Sequence, residues 1–388
     1  NAKNVAISKK LFGYNANIYC GSFLTEDKKN VNPEVLKKFG IDKFDIIIGN
    51  PPYNENGVGK GGGILWKYFI LRSYEILKEK GYLSFVHPLG WRKPKGDNAS
   101  AGDIWDIYRH DNLLFLNMNI TDMKGFPKVD YYVLQKTKKQ NKTYIICNYE
   151  NNKYEGYLDI YHLKFIPNFI NKEVLNILNK IINNDILKEN INIIRNQSFK
   201  PNKKILGNKK GTPHSFYYDT QKNNYIDAFK IYNKLPDYLN KNKIVMTYKS
   251  GKEKSRLYPI YYNKVQGTTA NTMYLLINKK DNILNILNLL KSKLIYFILK
   301  ITQYSESPNH INEFKILNMI QKPNINITLK TDLDIYKYYN LTNIEIDIIN
   351  KLTNTNKNNK KTSKRKIKHN SISNSSNKKS QKKKNYSI

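Results

Sequence analysis

Asn50-Pro51-Pro52-Tyr53 is the run of this chain whose residue types and order could do chemistry. A carboxamide, two prolines that fix the backbone and a phenol ring stand directly after Phe44-Asp45-Ile46-Ile47-Ile48-Gly49. An exocyclic amine conjugated to an aromatic ring is a poor nucleophile, because its lone pair is delocalised. The side-chain oxygen of Asn50 and the carbonyl of Pro51 could each accept one amine hydrogen, turning the nitrogen tetrahedral with its lone pair aimed at an electrophile. Pro51 and Pro52 hold both acceptors in place before reaction. Tyr53 adds a flat face on which a purine could stack, and a base inside a duplex would have to be flipped out to reach it, at a cost of a few kcal/mol. Taken alone, the four residues also describe a surface turn.

The elements around them decide between these readings. Phe44 to Gly49 is a β-branched apolar run that suits a strand covered on both faces, and the prolines end it by removing donors and fixing φ. Asn50 then sits at the strand's carboxyl end, the edge where open α/β sheets hold ligands. Asn1 to Phe12 reads as a helix and Asn17 to Phe23 as a short strand. After the glycine-rich loop Gly57 to Gly63, helical spacing runs from Ile64 to Glu79 and closes at Lys80-Gly81. Tyr82 to His87 is a strand stopped by Pro88; Ile104 to Tyr108 is helical; Leu113 to Met118 and Asp130 to Gln135 are strands. Such alternation predicts an α/β fold with a mainly parallel sheet.

The polar stretch Lys136 to Lys142 marks an expected domain boundary, giving units over 1–140 and 141–352. The second is α+β: helical Glu173 to Leu187, a loop-rich stretch to Asn240, strands Lys243 to Tyr248, Pro259 to Tyr262 and Thr272 to Ile277, helical Asn282 to Lys300 and the segment Glu313 to Ile320. Residues 353–388 are Lys-, Asn- and Ser-rich and too poor in apolar side chains to fold, so a disordered tail is expected.

The formal net charge is +35, of which +13 lies in residues 351–388, +8 in residues 1–140 and +14 in residues 141–350. Such a field favours a polyanion, nucleic acid first; an AT-rich genome also produces much Lys, Asn, Ile and Tyr. Cys20 and Cys147 are too few for a disulfide framework and point to a reducing, cytoplasmic setting. The basic tail also has the composition of a nuclear-import signal. The six histidines show no ligand spacing, so no metal site is expected. No apolar segment is long enough to span a bilayer, and the glycine run is not a phosphate-binding P-loop, because Lys60 is followed by Gly61.

With these residues in view, the chain resembles the N6-adenine DNA methyltransferases of type II restriction-modification systems, whose catalytic motif is Asn/Asp-Pro-Pro-Tyr/Phe. Asn17-Ile18-Tyr19-Cys20-Gly21-Ser22-Phe23-Leu24 is similar to the family's third sheet strand and its contact with the adenine of S-adenosylmethionine, with Ser22 where an aspartate is usual. Gly57 to Trp66 and Gly81 to Pro88 are similar to the loop, helix and strand after the motif. Gly125-Phe126-Pro127-Lys128-Val129-Asp130, leading into Tyr131 to Lys136, is similar to the last sheet motif. Residues 243–321, with Tyr258-Pro259, Gly267-Thr268-Thr269 and Asn312-Glu313-Phe314-Lys315, are similar to a target-recognition domain.

The resemblance implies a partial Rossmann-like methyltransferase sheet joined to an α+β target-recognition domain. Asn50, Pro51, Pro52 and Tyr53 would be catalytic, Tyr53 and Phe126 would stack on the flipped base, and Ser22, Phe23 and Asn50 would contact S-adenosylmethionine. Double-stranded DNA would be the substrate, and a cognate restriction endonuclease an expected companion. No glycine-rich cofactor loop follows a strand before Tyr53. The expectation is therefore a truncated chain, or a second polypeptide that supplies the missing half and pairs with the exposed strand edges. Two other readings stay open: a DNA-binding remnant or specificity subunit without catalysis, and a methyltransferase of RNA or of protein glutamine.

Overall fold

A computed structural model describes residues 2–55, 63–96, 101–120, 128–138, 140–182, 189–195, 206–207, 215–219, 224–227, 237–250, 256–263, 267–268, 271–304 and 310–354. The expectation for residues 353–388 falls, beyond Asn354, outside the described residues.

Six strands form the principal sheet: β1 (Phe44–Gly49), β2 (Leu77–Pro88), β3 (Asn112–Ile120), β4 (Val129–Gln135), β5 (Thr143–Tyr149) and β6 (Asn152–Leu158), in the spatial order β1-β2-β4-β3-β5-β6. β1 runs parallel to β2 and β3 parallel to β5, whereas β4 is antiparallel to both β2 and β3, and β6 to β5. The carboxyl ends of β1, β2 and β3 and the amino end of β4 therefore share one edge of the sheet.

Helices α1 (Ala2–Phe12) and α2 (Pro33–Phe39) precede β1, and α3 (Trp66–Glu75) and α4 (Asp103–Tyr108) follow it. α2 shows how local chemistry sets its ends: the Asn32 side chain accepts from Glu34 N, Pro33 opens the helix, and Gly40 closes it at φ +65°. α3 and α4 bury Trp66, Ile70, Trp105 and Tyr108 with Leu113, Leu116, Leu134 and Ile145 of the sheet. At about 25 cal/mol per Å² of apolar area removed from water, these large side chains dominate the stability of this layer.

The remainder is α+β. Helix α5 (Lys172–Ile181) is followed by β7 (Ile193–Arg195), β8 (Leu206–Gly207), β9 (Ser215–Asp219), β10 (Asn224–Asp227), β11 (Lys243–Thr247), β12 (Lys249–Ser250), β13 (Ile260–Tyr262), β14 (Thr272–Leu276), α6 (Ile283–Lys291), α7 (Lys293–Ile301), β15 (His310–Ile311), α8 (Phe314–Leu317), α9 (Asp332–Tyr338) and α10 (Asn343–Asn354). β13-β11-β14-β7 make an antiparallel four-stranded sheet. α5, α7 and α10 pack together, and their apolar residues continue the core of the first layer.

A buried polar cluster joins the two parts. Arg92 and Asp130, both fully buried, pair at 2.8 Å, and Asp130 also accepts from Trp91 Nε1 and Asn119 N. The other two arms of the guanidinium donate to Pro167 O and Asn119 Oδ1, both at 2.9 Å. Asn168, next along the chain, donates through its backbone N to Ile301 O and through its side chain to Gln303 O.

Several expectations are corrected. Asn17 to Phe23 is not a strand; the segment is irregular up to the single bridge Leu24–Val31, since no neighbouring strand among the described residues offers it a ladder. The helix read over Ile64 to Glu79 ends at Glu75, and Lys80-Gly81 is a bulge within β2, not a helix cap. Lys80 has φ +65°, and a side chain at Gly81 would press on Asp45 O at 2.8 Å. The helical run Asn282 to Lys300 breaks at Ser292, whose hydroxyl donates to Leu289 O and accepts from Ile295 N, closing α6 and capping α7. Lys136 to Lys142 connects strands of one sheet rather than ending it, because β5 pairs with β3. The β1 strand, expected to be covered on both faces, leaves Ile46 63% and Ile48 76% exposed.

Candidate functional site

The candidate loop begins where β1 stops. Gly49 lets the strand end close against β2, since a Cβ there would meet the Phe85 ring at 3.0 Å. Pro51 is buried, Asn50 and Pro52 are exposed and Tyr53 is half-buried. The alternation anchors the loop through Pro51 and Tyr53 and leaves the Asn50 carboxamide at the rim. Tyr53 packs against the core, and burial raises the pKa of its hydroxyl above the ordinary phenol value. Its carbonyl accepts from Leu65 N at 3.1 Å, and Asn54 bridges to Ile64, so the loop is pinned to the start of α3. Gly57 to Gly62 lie outside the described residues; Gly63 closes the far side, its carbonyl accepting from Glu55 N.

The segment expected to touch the cofactor is held against the same elements. Phe23 stacks on Phe69 of α3 with ring centres 5.4 Å apart and 16° between planes. Arg72, also on α3, donates to Lys29 O, and Lys28 pairs with Glu55 at the exit of the candidate loop. That ion pair holds the Glu55 carboxyl below the usual carboxylate range. The Ser22 hydroxyl donates to Leu24 O at 2.7 Å, which leaves its oxygen able to accept. Ser22 and Phe23 are thus tied to the helix that follows Asn50 to Tyr53, although the strand expected to carry them is absent there. Of the three residues expected at the cofactor, Phe23 is held against α3 and the Ser22 hydroxyl against Leu24 O, while Asn50 is exposed at the end of β1. Phe126 lies outside the described residues.

Behind the loop, sequence reasoning missed a buried aromatic box. His87, at the end of β2, stacks on Trp66 at 4.5 Å and meets Trp91 and Tyr132 edge-on. Burial lowers its pKa to about 3, so the imidazole is neutral at physiological pH. Trp91 Nε1 continues the contact to Asp130. The sequence signal available was only the density of aromatic residues around Gly90-Trp91-Arg92; nothing in it pairs Arg92 with an aspartate 38 positions away.

Among the described residues no cluster of His, Cys, Asp and Glu could hold a metal, and no helix is long and apolar enough to cross a membrane.

Comparison with known proteins places the candidate loop inside a recognised stretch. Residues 5–103 match the family model of the Eco57I restriction-modification methylase. Over 121 residues the chain is 29% identical to a protein of Mycoplasma pneumoniae described as an uncharacterized adenine-specific methylase, covering 28% of this chain and 27% of that one. Over 97 residues it is 36% identical to modification methylase CviBIII of Paramecium bursaria Chlorella virus NC1A, covering 23% and 22%. The matches thus span about a quarter of the length of these curated relatives. The Type IIL restriction-modification enzyme MmeI, solved in complex with DNA, superposes with a TM-score of 0.46 at 10% identity, over 80% of this chain and 56% of that chain. Over residues 5–103, which contain Asn50 to Tyr53, the chain is thus similar to the Eco57I restriction-modification methylase family.

Proposed function

We propose that this chain carries the base-presenting part of a DNA methyltransferase that modifies the N6 amine of a flipped-out adenine. The observation that carries the reading is the loop itself: an exposed Asn50 carboxamide at the carboxyl end of β1, between the half-buried Ile47 of the strand and the buried Pro51. S-adenosylmethionine, when bound, supplies an electrophilic methyl group to this site. Ser22, Phe23 and Asn50 would face it on one side.

Asn50 Oδ1 and Pro51 O accept the two amine hydrogens and draw the nitrogen out of conjugation. Tyr53 lends its ring face to the purine, with Phe126 as the second aromatic. The methylated nitrogen carries a positive charge and sheds its proton to water late, so a strong general base is unnecessary. The α+β part beyond β6, from α5 to α10, would select the DNA sequence, and the Lys-rich tail would act as an electrostatic arm. The second wall of the cofactor site would come from an upstream segment of a longer chain or from a second polypeptide. A cognate endonuclease would complete the restriction system.

A labelled-methyl assay tests this directly. Duplex DNA, RNA and protein are each offered to the protein together with its cofactor-binding half, and labelled DNA is digested to nucleosides. N6-methyladenine from duplex DNA is the expected product. Label in RNA or in protein glutamine would transfer the reading to those substrates. No label, combined with duplex binding that weakens steeply with salt, would identify a DNA-binding remnant instead.

A further inference from the structure

One face of the principal sheet holds α3 and α4; the other carries a row of aromatic rings that no functional role above uses. Tyr131 on β4, Phe115 on β3, Tyr144 on β5 and Tyr157 on β6 follow one another across four strands. Their ring centres lie 5.4, 6.2 and 4.9 Å apart in that order. The strand register explains the row: Phe115 sits opposite Tyr144, and Tyr144 opposite Tyr157. None of the four belongs to the buried core, and Tyr157 is 62% exposed. The Tyr144 hydroxyl donates to Glu155 at 2.5 Å, on the neighbouring strand β6.

The row ends beside a polar cleft that carries Arg109 and Lys142, with Asp159 in its lining. One residue beyond the Thr143–Leu158 pair, the chain enters an open cleft lined by Arg109, His110, Gln140, Lys142, Tyr161 and His162, together with Asn141 and Asp159. Asp106 pairs with Arg109, while Lys138 and Lys142 are exposed on the connection into β5. Cationic side chains at one end of a row of partly exposed rings match the needs of one ligand class. Bases stack on the rings whatever their sequence, and phosphates lie against the cations. An apolar protein segment would leave the cleft unused. The cleft lies at the amino ends of β3 and β5, opposite the edge that carries Asn50.

We propose that Tyr131, Phe115, Tyr144 and Tyr157, with the Arg109–Lys142 cleft, form a second nucleic-acid site that takes a single strand, separate from the methylation loop. The inference does not rest on methyl transfer, and it fails or stands independently of it. The full chain is titrated with a fluorescent thymidine octamer and with an octamer of abasic sites of equal charge. The Lys-rich tail binds both alike, so the difference between them reads stacking alone. The expected result is tighter binding of the thymidine strand. That preference falls about tenfold in Tyr144→Ala/Tyr157→Ala, while Lys142→Ala lowers the salt slope by about 0.7. Hydrogen exchange of β5 and β6 verifies that the variants keep the sheet. Equal affinity for the two octamers, or an unchanged preference in the double variant, overturns the proposal. So does light scattering that shows a dimer which Tyr144→Ala/Tyr157→Ala dissociates into monomers.

Discussion

The two ends of the principal sheet are finished in opposite ways. At β6 the outward positions alternate Lys153, Glu155 and Tyr157, all exposed, and Gly156 turns the backbone to φ +153°. Charges and a distorted backbone keep such an edge from recruiting a foreign strand. At β1 the corresponding positions are Ile46 and Ile48, mostly exposed, and among the described residues the outer edge has no partner strand. Nearby in sequence, α1 buries none of its residues and leaves Leu11 72% and Phe12 78% exposed. The β6 end is complete as it stands; the β1 end has the chemistry of a surface meant to be covered. Asn50 hangs from the latter, so the candidate chemistry sits on the strand with the least support.

This contrast can be broken or sharpened, beginning with the interior that lies between the ends. Asp130→Ala leaves the buried Arg92 guanidinium without its counter-charge and is expected to cost about 3–5 kcal/mol in urea unfolding. A loss under 1 kcal/mol would mean the centre of the sheet is no firmer than its edges. The next effect is a pH dependence from His87. Its pKa falls from 6.5 in the unfolded chain to about 3 in the folded one. Between those values the unfolded chain holds a proton that the folded chain lacks, so stability drops as pH falls through the window. The slope reaches at most about 1.4 kcal/mol per pH unit. His87→Gln should remove that share of the slope in melts recorded from pH 7 to pH 4.

The edges themselves should respond weakly in stability and differently in association. Ile48→Lys changes unfolding of the chain by less than about 0.5 kcal/mol, yet should abolish assembly with a covering segment and reduce self-association at high concentration. Lys153→Ala with Glu155→Ala is expected to be as mild in stability and to raise self-association through β6. If Ile48→Lys assembles normally, β1 is not a covered edge.

Much of the site was legible from local pattern. The apolar run before Asn50, the prolines and the glycine at position 49 are neighbours in sequence, and periodicity alone placed β1, β3 and β4 within two residues and the second half of β2. What escaped depends on partners distant in the chain. Asn17 to Phe23 alternates like a strand but has no ladder to join. Leu77 to Lys80 has helical composition but is drawn into β2 by Phe44 and by Lys136 across the bulge. Arg92 reads as a surface cation until Asp130, Asn119 and Pro167 are brought around it. Ser292 breaks a helix that composition would continue, because its hydroxyl serves both helix ends at once.

The role assigned to Asn50 is the point on which the functional reading turns. In the presence of S-adenosylmethionine, single-turnover methylation of duplex DNA should fall by at least about 10³-fold in Asn50→Ala, from the loss of a preorganised acceptor, while the Kd for the same duplex changes less than about threefold. Methylation by Asn50→Ala at the parent rate would contradict the assignment of this loop as the group that activates the adenine amine.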